Sequence, residues 1–144
     1  MDNQLIALKI IGIEFENQII KLSKQLNYKI EEKVLIRRFH QMIEMENYHC
    51  FGLFEDSKLI GISNGWTSNR FYCGKQLEID NFVIDEEKRS QGYGDLFMKY
   101  LENWCKQGNY ETIELNSYVR NSKSHKFYFN HGFKIIGHHF FKEL

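Results

Sequence analysis

The chain has 144 residues, 42% apolar and 26% charged, a length and balance that suit one self-supporting globular domain spanning 1–144. Its 19 basic and 19 acidic side chains cancel to a formal net charge of zero, which argues against a nucleic-acid or anionic-membrane partner. No apolar run approaches the ~20 residues of a spanning helix, the first ten residues carry no basic-then-apolar leader pattern, and Cys50, Cys73 and Cys105 lack the CxxC spacing of structural zinc or a disulfide framework; a cytoplasmic protein with free thiols and no metal is expected.

Residues 5–10 read as a first strand. Phe15, Ile19, Leu22 and Leu26 then recur at helical spacing, and a second helix is predicted over 30–46, with Val34, Leu35, Met42 and Ile43 as its stripe. Strands are predicted at 49–54 and 59–67, joined by the turn-forming Glu55-Asp56-Ser57-Lys58. Residues 68–75 read as a polar loop. Leu77, Ile79 and Val83 alternate against Glu78 and Asp80, marking a strand over 76–84. If no bulge intervenes, Glu78 and Asp80 share one face. Leu96, Phe97, Tyr100, Leu101, Trp104 and Cys105 give the next helix a broad apolar face, with Gly108 as its cap. A strand over 112–118, a short helix over 122–130 closed by Gly132, and a final apolar strand around 133–141 complete the pattern. This β-α-α-β-β-β-α-β-α-β order calls for an α/β (α+β) fold built on a mixed, mostly antiparallel sheet covered by helices.

The segment from Asp85 to Gly94 carries the clearest chemistry. A strand ends at Ile84 and a helix begins at about Tyr93 or Gly94. The first helical turn leaves backbone N–H groups unpaired, and the helix dipole adds partial positive charge there. Gly92 and Gly94 remove Cβ atoms, so a phosphate can approach the main chain, and Arg89 adds a full charge. A lone G-x-G is also a common tight turn. A Rossmann site would need a third glycine where Phe97 stands, and a P-loop would need Gly-Lys-Ser/Thr.

Arg89-x-x-Gly92-x-Gly94 after Phe82-Val83-Ile84 resembles the signature loop of the GCN5-related N-acetyltransferase (GNAT) family. Asn121, Phe127-Tyr128 and Gly132-Phe133 resemble its second conserved block, and the two blocks cover about residues 77–133. The resemblance implies a sheet in which the strands over 76–84 and 112–118 run parallel and splay into a V that admits acetyl-CoA, with helices on both faces. It implies that the backbone around Phe82, Val83 and Ile84 pairs with the pantetheine arm, that Arg89, Ser90, Gln91, Gly92, Tyr93 and Gly94 hold the pyrophosphate, and that Asn121 binds the arm from the other side. Tyr128 falls at the family's proton-donor position, and its phenol, with an ordinary pKa of ~10, suits protonation of a departing thiolate. For the base Asp80 is preferred over Glu78, since Asn116 stands where some relatives carry a glutamate. The backbone N–H of Ile84 is a candidate oxyanion donor.

The function so implied is transfer of acetyl from acetyl-CoA to a primary amine of a small molecule by direct attack in a ternary complex. A protein N-terminus or lysine as acceptor, a non-catalytic acyl-CoA sensor, and a homodimer remain open alternatives. His125, one helical turn before Tyr128, is a possible neighbour of that hydroxyl, and Trp66, Phe71 and Tyr72 form either a substrate wall or core.

Overall fold

The computed structural model describes residues 5–144; residues 1–4, part of the stretch read for a leader, lie outside it. The described chain divides into two compact units, one ending at Glu114 and one running from Leu115 to Leu144. The first contains strand β1 (Ile6–Ile10), helices α1 (Glu16–Leu26) and α2 (Glu32–Ile43), strands β2 (Tyr48–Glu55), β3 (Lys58–Arg70) and β4 (Gly74–Ile84), helix α3 (Tyr93–Gln107) and most of β5 (Thr112–Leu115). The second contains α4 (Ser122–Asn130).

The sheet order is β1-β2-β3-β4-β5, antiparallel from β1 through β4. Glu111 N–H donates to the Lys75 carbonyl (2.8 Å), so β4 and β5 begin side by side, as a strand–helix–strand crossover requires. Asp56 (φ +48°) and Ser57 (φ +72°) both take the left-handed conformation between β2 and β3, the two-residue turn whose twist matches paired strands.

Both faces of the sheet are covered, which explains why nearly all of β2 is buried. Cys50, Ile62 and Val83 pack with Ile19, Ile20 and Leu22 of α1 and Leu35 and Phe39 of α2. On the other face Phe51 meets Trp104 of α3 edge-on (4.8 Å between centroids), and Phe82 meets Phe97 (5.2 Å). Each large apolar side chain so buried contributes about 1.5–3 kcal/mol.

Several elements differ from expectation. Strands β3 and β4 reach through most of the polar 68–75 stretch, because the pairs Ser68↔Gln76, Asn69↔Lys75 and Arg70↔Gly74 continue the ladder; backbone pairing is indifferent to side-chain polarity. Strand β5 stops at Leu115, short of residue 118, and α2 is shorter than 30–46. No strand forms over 133–141. Ile135, Ile136, Phe140 and Phe141 are exposed: an apolar pattern supplies side chains for a strand, but only a ladder partner makes one.

The bulge left open by the sequence is present. Pairing steps from Gly65↔Ile79 to Asn64↔Asn81, leaving Asp80 as the extra residue. Alternation resets there. Leu77 packs beside Phe51 on the α3 side, where a Cβ on Gly65 would strike it at 2.6 Å, whereas Val83 joins the α1–α2 cluster. The three apolar residues expected on one face are thus divided between two.

Candidate active site

Strand β4 has eleven residues and the neighbouring β5 only four, so the stretch ending in Phe82, Val83 and Ile84 runs on past the end of β5. It leads straight into the loop singled out by sequence. Asp85 caps a short 3-10 turn, Glu86–Lys88, by accepting from Glu87 N–H (3.3 Å). Arg89, Ser90, Gln91 and Gly92 follow, and α3 starts at Tyr93.

Ser90 (φ +61°) and Gly92 (φ +84°) both lie in the left-handed region. For serine this costs roughly 1 kcal/mol, and left-handed residues can help turn neighbouring N–H groups toward an anion. A Cβ on Gly92 would meet nothing within 4 Å, so this glycine answers a backbone requirement and leaves open space above the turn. Gly92 brings no side chain to cap α3, and the first backbone bond of the helix is Leu96 N–H to the Gly92 carbonyl (3.2 Å). A helix N-terminus of this kind suits an anion.

The loop is held from two sides by residues that sequence reading missed. In α1, Gln25 Oε1 accepts from Glu86 N–H (3.0 Å) and Arg89 Nη2 (3.3 Å), and its amide donates to Asp85 (3.3 Å). At the end of β2, Glu55 accepts from Lys88 Nζ (2.7 Å) and from the Tyr93 hydroxyl. Arg89 Nε also donates to the Ile84 carbonyl (3.1 Å). The guanidinium thus engages two of its five N–H groups, one with α1 and one with the end of β4. No local sequence signal marks Gln25 or Glu55, because each acts across more than thirty residues.

Glu78 and Asp80 both stand beside Trp66: Glu78 is its register partner, and the Trp66 indole N–H bonds Asp80. They are unequal as bases. Glu78 pairs with Arg70 Nη2 (3.4 Å). Asp80 is exposed on one side yet has protein close around it; that desolvation raises its pKa, and the Trp66 bond opposes the rise. Next to the bulge, buried Asn64 donates to the Tyr48 hydroxyl while its Oδ1 finds no partner among the described residues. Trp66 itself packs on Tyr48 (4.9 Å), whereas Phe71 and Tyr72 are exposed, so core filling does not hold for those two rings.

The raised pKa of Asp80 has a thermodynamic sign. A carboxylate whose pKa is higher folded than unfolded gives full stability below the unfolded value, ~3.9, and loses it as pH rises through the folded value. Asp80→Asn is therefore expected to match or exceed the parent Tm at pH 7, with the gap closing toward pH 3. Thermal melts across that range check this; a variant less stable at pH 7 than at pH 3, relative to the parent, contradicts it.

In the second unit, Asn121 caps α4 by accepting from Ser124 N–H (3.3 Å), which leaves its amide hydrogens for other use. His125 Nε2 lies 2.8 Å from the Tyr118 carbonyl and so serves the local turn. Tyr128 is half-buried, its ring edge-on to Phe127 (5.4 Å) and Phe133 (5.7 Å), and burial raises its pKa. Among the described residues no His, Cys, Asp and Glu cluster could hold a metal ion, and no helix is long and apolar enough to cross a membrane.

A family model described as the acetyltransferase (GNAT) family matches residues 17–133. An uncharacterised N-acetyltransferase of Bacillus subtilis, YhdJ, is 23% identical over 124 residues, 85% of this chain and 87% of its own length. Among solved structures, a GNAT family acetyltransferase from Staphylococcus aureus superposes with a TM-score of 0.78 at 26% identity, covering 96% of this chain and 98% of that one. The aminoglycoside N-acetyltransferase AAC(6')-Iy, solved with CoA, gives 0.83 at 12% identity over 99% and 96%.

Proposed function

Because the chain belongs to the acetyltransferase (GNAT) family, we propose that it is an acetyl-CoA-dependent enzyme, acting as a single cytoplasmic domain, that acetylates a primary amine of a small molecule by direct attack in a ternary complex. The observation that supports this is the β4–α3 loop, where two left-handed residues lead from the end of β4 into a helix start whose N-cap is a glycine. A diphosphate suits such a turn. Its pantetheine would extend along Phe82, Val83 and Ile84, and Asn121 would use its amide hydrogens on the same arm. The CoA bound to AAC(6')-Iy supports the cosubstrate, and that protein's aminoglycoside acceptor supports the small-amine class.

The chemistry then divides among this chain's residues. The amine must be neutral to attack, so a base takes its proton. Asp80 is suited to accept it, because a raised pKa makes it a better proton acceptor than an ordinary carboxylate, and its position beside Trp66 lets it receive a cationic amine. Glu78, tied to Arg70, contributes negative field. The nitrogen lone pair forms the C–N bond, and charge gathers on the carbonyl oxygen, where the Ile84 N–H would donate. The C–S bond breaks, Tyr128 protonates the leaving thiolate, and the proton shed by the new amide nitrogen passes through solvent to restore the Tyr128 phenol. Amide and free CoA thiol result.

The test is a turnover screen of purified protein with acetyl-CoA and diverse amines, following thiol release above acceptor-free hydrolysis and the acetylated amine by mass. Equimolar thiol and acetyl-amine are expected. CoA binding without amine-dependent release would instead identify an acyl-CoA sensor, and no CoA binding would end the proposal.

A further inference from the structure

Glu55 makes contacts that the proposed chemistry leaves unexplained. It ends β2, far in sequence from the loop, and is only 7% exposed. Its Oε1 holds Lys88 Nζ at 2.7 Å and its Oε2 the Tyr93 hydroxyl. Lys88 is the last residue of the 3-10 turn and Tyr93 the first of α3. Between them lie only Arg89, Ser90, Gln91 and Gly92, the residues of the proposed anion nest. One carboxylate therefore grips both ends of that four-residue turn.

The grip answers a physical need. A turn with a left-handed serine stores strain, and it persists only where its surroundings over-determine it. Glu55 lies near the molecular rim, covered by its two partners and not by depth. Their hydrogen bonds hold its carboxyl below the usual carboxylate range and raise the pKa of both Lys88 and Tyr93. Lys88 Nζ is thereby engaged by Glu55.

We propose that Glu55 is a positioning residue for cosubstrate binding: by pinning Lys88 and Tyr93 it pre-forms the diphosphate nest, and it touches neither cosubstrate nor acceptor. This rests on reading the loop as a diphosphate site. Pre-formation matters because an unclamped loop would have to be ordered by the ligand, and that ordering weakens binding.

Glu55→Gln keeps the side chain's size but removes the charge that holds Lys88, and its amide NH2 can meet the Tyr93 hydroxyl only as a donor. Calorimetry with CoA and competition with pantetheine, which lacks the diphosphate, separate the roles. CoA affinity is expected to fall about tenfold or more, while pantetheine affinity shifts less than twofold. Tyr93→Phe, which removes one hydroxyl and keeps the ring, should weaken CoA about threefold, and its effect should vanish in the Glu55→Gln background. A CoA affinity within twofold of the parent in Glu55→Gln, or equal losses for both ligands, overturns the proposal. If Glu55→Gln does not fold, an unchanged CoA affinity in Tyr93→Phe does so as well. A parent protein that binds no CoA fails the underlying reading instead.

Discussion

Replacing Tyr128 with phenylalanine is expected to lower kcat about 10²–10⁴-fold, the range typical of a lost general acid, while CoA affinity stays within twofold. The substitution removes one hydroxyl. The edge-on contacts of the ring with Phe127 and Phe133 do not involve that oxygen, so α4 keeps its packing. What disappears is a proton held ready at neutral pH. Burial raises the pKa of this phenol, so it stays protonated well into alkaline solution, and its departure as a proton donor marks the high-pH limit of the rate. The parent's kcat should fall as pH rises through that elevated pKa, and the phenylalanine variant should lack this limb. Steady-state rates across the pH range, paired with calorimetry for CoA, give both readouts. A kcat within threefold of the parent, or a surviving alkaline limb, would remove Tyr128 from the reaction and leave α4 as structure alone.

The parts of this molecule that a local pattern encodes were legible in its sequence. The hairpin at Asp56-Ser57, most of the helix faces of α1 and α3, and the turn at Gly92 each follow from a few neighbouring residues; the faces depart from the pattern in that Leu26 is exposed and Ile20 and Met98, outside it, are buried. The family assignment came from two spaced motifs and is upheld by the match over 17–133. Features that depend on distant chain were not legible. The bulge at Asp80 belongs to the pairing of β3 with β4, not to β4 alone, so it changed which way Val83 faces without leaving a signal. Gln25 and Glu55 look like ordinary polar residues of a helix and a turn; only folding brings them against a loop some thirty or sixty residues away. The stretch 133–141 shows the converse: its apolar pattern reads as a strand, yet no strand forms there. Residue types announce chemistry, whereas the supports that aim it are properties of the assembled fold.

Phe97→Ala tests how deeply the candidate site depends on that assembly. Phe97 is fully buried, lies in the second turn of α3 and stacks on Phe82 of β4. It therefore packs the start of the helix proposed to bind the diphosphate against the strand proposed to pair with pantetheine. Truncation removes the ring and leaves a cavity, a change that costs about 3–5 kcal/mol from a total of typically 5–15 kcal/mol. Urea unfolding should show the midpoint fall with little change in slope. A ligand that binds only the native state adds back RT ln(1 + [L]/Kd), about 2.7 kcal/mol at one hundred times Kd, so CoA at a fixed concentration reports the nest directly. In the parent the full increment is expected. In the variant the increment should shrink, because α3 is no longer braced against β4 and the ligand must order the helix start as it binds. An equal CoA increment in both proteins would show that the nest stands independently of the core beneath it, and a stability loss below about 1 kcal/mol, far under the usual cost of such a truncation, would show that Phe97 is not the brace its position implies.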